Sequence, residues 1–191
     1  MSTKYILYNP LAGNGKGEEQ AKKLTETYKN DELKYCNMTH ITSYGAFFDS
    51  ISPKSDIIIC GGDGTLNRFI NDSEGYPYEN PLYFYATGSG NDFMRDLGKE
   101  PGCKPIPINE YVKGLPTVTV NGKSTLFINA IGYGIDGYCC EVGDELRKKS
   151  DKPINYTSIA IKGLLFHFKP ANAVITVDGK EYSFKKVWLA P

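Results

Sequence analysis

Three stretches of this chain place glycine beside small polar side chains: Asn9 to Gly17 (NPLAGNGKG), Gly61 to Thr65 (GGDGT) and Thr87 to Asp92 (TGSGND). Glycine lets backbone N–H groups come close to an oxyanion, and a helix that starts just beyond adds a favourable dipole. The chemistry this suits is the binding of phosphate. A single loop of this kind reads most simply as a tight turn; three of them point to one shared rim. Asp63, set between Gly62 and Gly64, can hold Mg²⁺ or take a proton from an attacking hydroxyl. As a plain turn residue it would bond its own backbone instead. Thr65 and Ser89 suit a phosphate contact or a helix cap, and Asn91 and Asp92 also suit capping. Lys16 suits a phosphate partner or a solvated charge. It is followed by Gly17, so the first loop is no Walker A motif, and the spacing of a dinucleotide fingerprint is absent too.

These loops need elements to hold them. KYILYN, DIIIC and LYFYA read as buried strands. EEQAKKLTETYKN, TLNRFIND and NDFMRDLG read as helices, with Ala21, Leu24 and Tyr28 on one face and Leu66, Phe69 and Ile70 on another. Such alternation predicts an α/β domain, a parallel sheet with helices on both faces, over residues 1–114. The three loops then leave the carboxyl ends of its strands, where ligands bind in open sheets. KEPGCKPIPIN reads as a linker. Residues 115–191 read as a mostly β, antiparallel second domain, with hairpins at Asn121-Gly122 and Asp178-Gly179 and helices near 136–149 and 154–168. The chain stops soon after a strand, so the second domain is expected to be incomplete.

Bulk composition narrows the classes. The 191 residues carry 22 basic and 22 acidic side chains, and no basic–aromatic alternation, so nucleic acid is not expected as a partner. Five cysteines without C-x-x-C spacing and without a signal peptide predict a reducing cytoplasm. No apolar run reaches the roughly 20 residues of a membrane span. His40 and His167 stand alone, with no triad or metal spacing.

GGDGTLN followed by TGSGNDFMRDLG, with NPLAGNGKG upstream and FINAIGYGIDGYC and ITVDGKEY downstream, resembles the diacylglycerol kinase catalytic domain family. That family includes bacterial lipid kinases and sphingosine and ceramide kinases. The resemblance covers the whole chain. It implies a phosphofructokinase- or NAD kinase-like nucleotide domain, a mostly β second domain, and the cofactors ATP and Mg²⁺. The reaction implied is γ-phosphoryl transfer to a lipid hydroxyl, diacylglycerol-like, in phospholipid metabolism. Carried over, Asn9, Pro10 and Gly13 match the first nucleotide loop; Gly61, Gly62, Asp63, Gly64, Thr65 and Asn67 the central one; Gly88, Ser89, Asn91 and Asp92 the third. Ser89 stands where the family usually has Thr. A nucleotide-contacting threonine before a helix is assigned to Thr42, with Thr39 as the alternative. Asp63 takes the catalytic or metal role.

The family also implies a late Asp-Gly segment carrying a base for the lipid hydroxyl, which finds no match before Pro191. Two alternatives therefore stay open: a catalytically silent nucleotide-binding fragment, and a small-molecule kinase of the NAD kinase type. The expected partner is a lipid at a membrane surface, met by a cytoplasmic, peripheral protein, with a homodimer as an option. Candidate lipid contacts are Phe47, Phe48 and YTSIAIKGLLFHF. Removing the Asp63 carboxylate is expected to stop transfer and leave the fold intact.

Overall fold

A computed structural model describes residues 2–77, 79–88, 90–100, 102–150 and 154–191, with Asn14 and Arg147 described by backbone alone. The chain divides into two compact units, Met1–Asn129 and Ala130–Pro191.

The first unit opens with β1 (Thr3–Tyr8) and three short helical pieces, α1 (Ala12–Gly15), α2 (Gly17–Lys22) and α3 (Leu24–Thr27). There follow β2 (Glu32–Asn37), a 3-10 turn at Met38–His40, α4 (Tyr44–Asp49), β3 (Asp56–Gly61) and α5 (Asp63–Asp72). After these come β4 (Leu82–Ala86), α6 (Asp92–Asp96), β5 (Ile106–Pro107), β6 (Thr117–Val120) and β7 (Lys123–Leu126). The main sheet has the order β2-β1-β3-β4-β5. Its first four strands are parallel, and β5 joins β4 antiparallel through Phe84↔Ile106. The stretch 99–109 is thus more than the linker expected from its prolines: it adds an edge strand and buries Ile108 completely.

Strand alternation builds two cores. Leu7, Ile57, Ile59 and Phe84 face one side, with Tyr44, Phe48, Leu66, Phe69, Phe93 and Met94 from α4, α5 and α6. Ile6, Tyr8, Ile58 and Cys60 face the other, with Ala21 and Leu24. The sheet is therefore sandwiched, and each fully buried aliphatic side chain contributes about 2 kcal/mol of transfer free energy. Phe47 and Phe48, expected as lipid contacts, belong to this packing: Phe48 is buried, Phe47 packs beside it, and Phe48 stacks on Tyr76 at 5.1 Å.

The hairpin of β6 and β7 turns through Asn121 and Gly122, both at positive φ, as expected from sequence. It packs with the first unit, because Leu115, Leu126 and Ile128 lean on the larger core. The division at Asn129 therefore falls 15 residues beyond the sequence expectation of 114.

The second unit holds β8 (Tyr133–Gly134), α7 (Ile135–Lys149), α8 (Tyr156–Lys162) continued by a π turn at Gly163–His167, β9 (Ala171–Val177), β10 (Lys180–Val187) and β11 (Leu189–Ala190). β9 and β10 form a hairpin through Asp178-Gly179, and β8 pairs with β11. In the other lipid candidate, Ile159 is buried while Ile161, Leu164, Leu165 and Phe166 are exposed.

Candidate functional site

The strand order makes a switch point. β1 leads to β2 on one side, and β2 returns past β1 to β3 on the other, so the connections leaving neighbours β1 and β3 diverge. A crevice opens at the carboxyl ends of such strands. The loops after β1, β3 and β4 meet there.

Close backbone approach explains their glycines. A Cβ on Gly88 would lie 2.5 Å from Gly62 Cα, and one on Gly17 would lie 1.9 Å from the Asn9 carbonyl oxygen. Gly13, at φ +58°, sits with its would-be Cβ 3.5 Å from the Thr87 carbonyl oxygen. The Thr87 N–H donates to the Gly61 carbonyl at 2.8 Å. The first loop lies beside the third, and the third packs against the second. Around Gly64, by contrast, a Cβ would meet nothing within 4 Å.

Asp63 starts α5, and its carboxylate reaches into the third loop. Oδ2 accepts the Asp92 N–H at 3.0 Å and Oδ1 the Phe93 N–H at 3.1 Å, capping α6. The turn role read for Asp63 from sequence is thus filled between loops rather than within its own. Asn91 occupies the left-handed region (φ 56°, ψ 42°), is almost fully buried, and donates from Nδ2 to the Gly88 carbonyl at 2.6 Å. Thr65 is buried against Gly61, while its N–H bonds the Gly62 carbonyl at 2.9 Å. Asn9 Oδ1 accepts the Leu11 N–H at 3.0 Å, shaping the turn that Pro10 enters. At the end of β3, burial pushes the Cys60 thiol pKa up, making it an inert neighbour of this loop.

Of the expected residues, Asn9, Pro10, Gly13, Gly61, Gly62, Asp63, Gly64, Thr65, Gly88, Asn91 and Asp92 lie in or beside these loops, and Asn67 one turn along α5. Ser89 lies outside the described residues. Thr42 borders a separate recess with Ser43, Tyr44 and residues 72–76, at the far end of α5 from Asp63. Thr39 follows the end of β2, where Asn37 pairs with Tyr8 just before Asn9.

The arrangement fits a nucleotide with its metal on two observations. The first is the open side of the first turn of α5, where a Cβ on Gly64 would meet nothing within 4 Å. The second is that a Cβ on Gly90 would lie 3.3 Å from Asp63 Oδ2 and 3.9 Å from Asp92 Oδ2, so both carboxylates open toward that glycine. Mg²⁺ is commonly held by one or two carboxylates plus phosphate oxygens. Among the described residues, no group of three His, Cys, Asp or Glu side chains converges on a metal position.

Sequence reasoning missed Asn71. Its Nδ2 donates to the carbonyls of Asn67 at 2.8 Å and Leu126 at 3.0 Å, and its Oδ1 accepts the Leu126 N–H at 2.9 Å. This clasp ties the β7 end to the helix that carries Asp63. The repeat Asp63, Asn67, Asn71, polar residues four apart, is the signal that could have revealed it.

Among known proteins, a "Putative lipid kinase" of Staphylococcus haemolyticus is 26% identical over 156 residues, covering 80% of this chain and 48% of the relative. A "Putative lipid kinase" of Staphylococcus epidermidis is 27% identical over 155 residues, covering 80% and 48%. The chain thus spans about half the length of the curated relatives it matches. A solved structure described as "A putative diacylglycerol kinase from Bacillus anthracis str. Sterne" shares the fold, with a TM-score of 0.53 at 21% identity, covering 95% of this chain and 63% of that one. No helix among the described residues is long and apolar enough to cross a membrane. Residues 3–117 match the diacylglycerol kinase catalytic domain, and this chain belongs to that family.

Proposed function

We propose that this chain carries the nucleotide-binding part of an ATP- and Mg²⁺-dependent lipid kinase, which transfers the γ-phosphoryl group to a diacylglycerol-like hydroxyl at a membrane surface. The observation that carries the reading is the meeting of three glycine loops at the β1/β3 switch point, with the Asp63 carboxylate bridging two of them. Phosphoryl transfer depends on positioning and charge neutralisation more than on covalent chemistry from the protein. Backbone N–H groups around Gly13, Gly62, Gly64 and Gly88 would cradle the phosphates. Asp63, with Asp92 nearby, would hold Mg²⁺, which neutralises phosphate charge when bound. Asn9 and Thr65 shape the loops, and Asn91 fixes the position of Gly88.

The test is incubation with labelled ATP and Mg²⁺, with diacylglycerol in mixed micelles and NAD in parallel. The expected result is label in the lipid, lost in Asp63→Asn. Label in NAD alone, or an unaltered chain that does not bind ATP, would overturn the reading.

A further inference from the structure

Asp92 is the first residue of α6, where its carboxylate suits capping. That duty is already filled. Asp63 takes the N–H groups of Asp92 and Phe93, and Asn91, at the cap position, turns its side chain to the Gly88 carbonyl. The Asp92 carboxylate is left with another arrangement. Its Oδ1 accepts from Arg95 Nη1 at 3.0 Å, one turn along the helix. Its Oδ2 faces Gly90, where a Cβ would lie within 4 Å of both Asp92 Oδ2 and Asp63 Oδ2. The Arg95 backbone is fixed as well: its N–H donates to the Asn91 carbonyl at 3.1 Å, and its carbonyl accepts the Gly98 N–H at 2.8 Å. A helical side chain leans toward the N-terminus of its helix, which brings this guanidinium back to the third loop. As a source of stability the pair is minor, because its side chains are 65% and 63% exposed and such ion pairs contribute little. Its geometry matters more. Two carboxylates converging on one point repel each other. A cation on the outer oxygen of Asp92 offsets part of that repulsion and keeps the inner oxygen turned to Asp63.

We propose that Arg95 is a positioning residue: it holds Asp92 by Oδ1 so that Oδ2 stands ready beside Asp63 to share a divalent cation. The proposal rests on the kinase reading above, which supplies the metal. Groups that hydrogen-bond a ligating carboxylate tune metal affinity without touching the ion. The glycine motifs do not mark Arg95, which lies beyond the last of them.

The experiment titrates Mn²⁺, a spectroscopic stand-in for Mg²⁺, into the unaltered chain, Arg95→Leu and Arg95→Lys. Free Mn²⁺ is followed by electron paramagnetic resonance, with the metal alone and then with ATP. Arg95→Leu should bind Mn²⁺ about tenfold more weakly in both titrations. It should melt within about 2 °C of the unaltered chain, because an exposed pair adds little stability. Arg95→Lys keeps the charge and loses the planar fork, so it should recover part of the affinity. In an Asp92→Asn background Arg95→Leu should change nothing further, because the carboxylate it orients is gone. Arg95→Gln replaces the leucine variant should the latter not fold. Equal Mn²⁺ affinity with and without Arg95 overturns the proposal. So does a loss that persists undiminished in the Asp92→Asn background, or an unaltered chain that binds no Mn²⁺. If the unaltered chain binds Mn²⁺ but no ATP, with or without the metal, the kinase reading falls, and the titration of Mn²⁺ alone still decides the role of Arg95.

Discussion

Asp63 and Phe93 are joined across two loops: the Asp63 Oδ1 accepts the Phe93 backbone N–H at 3.1 Å while Oδ2 accepts that of Asp92 at 3.0 Å. α6 has five residues, too few to be helical alone, so it depends on this cap and on burial of Phe93 and Met94. Asp63→Ala therefore does more than delete a carboxylate. It should cost about 1–2 kcal/mol and speed amide exchange at Asp92 and Phe93. Asp63→Asn keeps one oxygen acceptor and should lose less. Equal exchange in all three proteins would contradict the cap.

Gly88 and Gly64 should answer opposite ways to the same methyl. In Gly88→Ala the new atom lies 2.5 Å from Gly62 Cα, and strands β3 and β4 must yield. A loss of about 1–3 kcal/mol is expected, read by urea denaturation. Gly64→Ala meets open space inside a helix, where alanine is favoured by about 1 kcal/mol. That variant should be more stable yet bind ATP more weakly, because the methyl occupies the side left for phosphate. Undiminished ATP binding in Gly64→Ala would remove Gly64 from the cradle.

At the other end of the sheet, Lys4 is buried and bonded to Asp56, with Asp31 at 3.7 Å. Burial works against its charge, but the hydrogen bond to Asp56 and the charges of Asp56 and Asp31 outweigh it, so the Lys4 pKa stands above its ordinary 10.5. A raised lysine stabilises fully below its unfolded pKa and loses that contribution as pH climbs through the folded one. Stability should therefore drop above about pH 10.5. Lys4→Met, which strands Asp56, should cost about 3 kcal/mol at pH 7 and lose that alkaline limb. A Lys4→Met denaturation curve matching the parent would show the pair to be idle.

Cysteine chemistry offers an independent check on the core. Cys60 is 1% exposed and burial raises its thiol pKa, while Cys140 is exposed. In a native thiol titration Cys140 should react in the fast phase and Cys60 only as the chain unfolds. Prompt labelling of Cys60 would mean that β3 is not central.

What could be read from sequence was whatever repeats locally. The apolar runs of β1, β3 and β4, the hairpins at Asn121-Gly122 and Asp178-Gly179, and the glycine loops all declare themselves within a few residues. β2 did not: ELKYCN lies at the sheet edge with only partly buried side chains, so its pattern is diluted. α4 hid for another reason. YGAFFD is six residues long, and its aromatic pair looks like a sticky surface until Phe69 and Tyr76 arrive from distant positions to cover it. The Asn71 clasp and the Asp63 cap join residues 55 and 30 positions apart, and no local pattern reports such bonds.

The contact of Gly62 with Gly88 leaves heredity little room. Any side chain admitted at one of them pries at the other, and through Gly61↔Ala86 at the registered strands beneath. A lineage that remodels one loop must remake its neighbour in the same step, so the two should drift as a pair or stay put together.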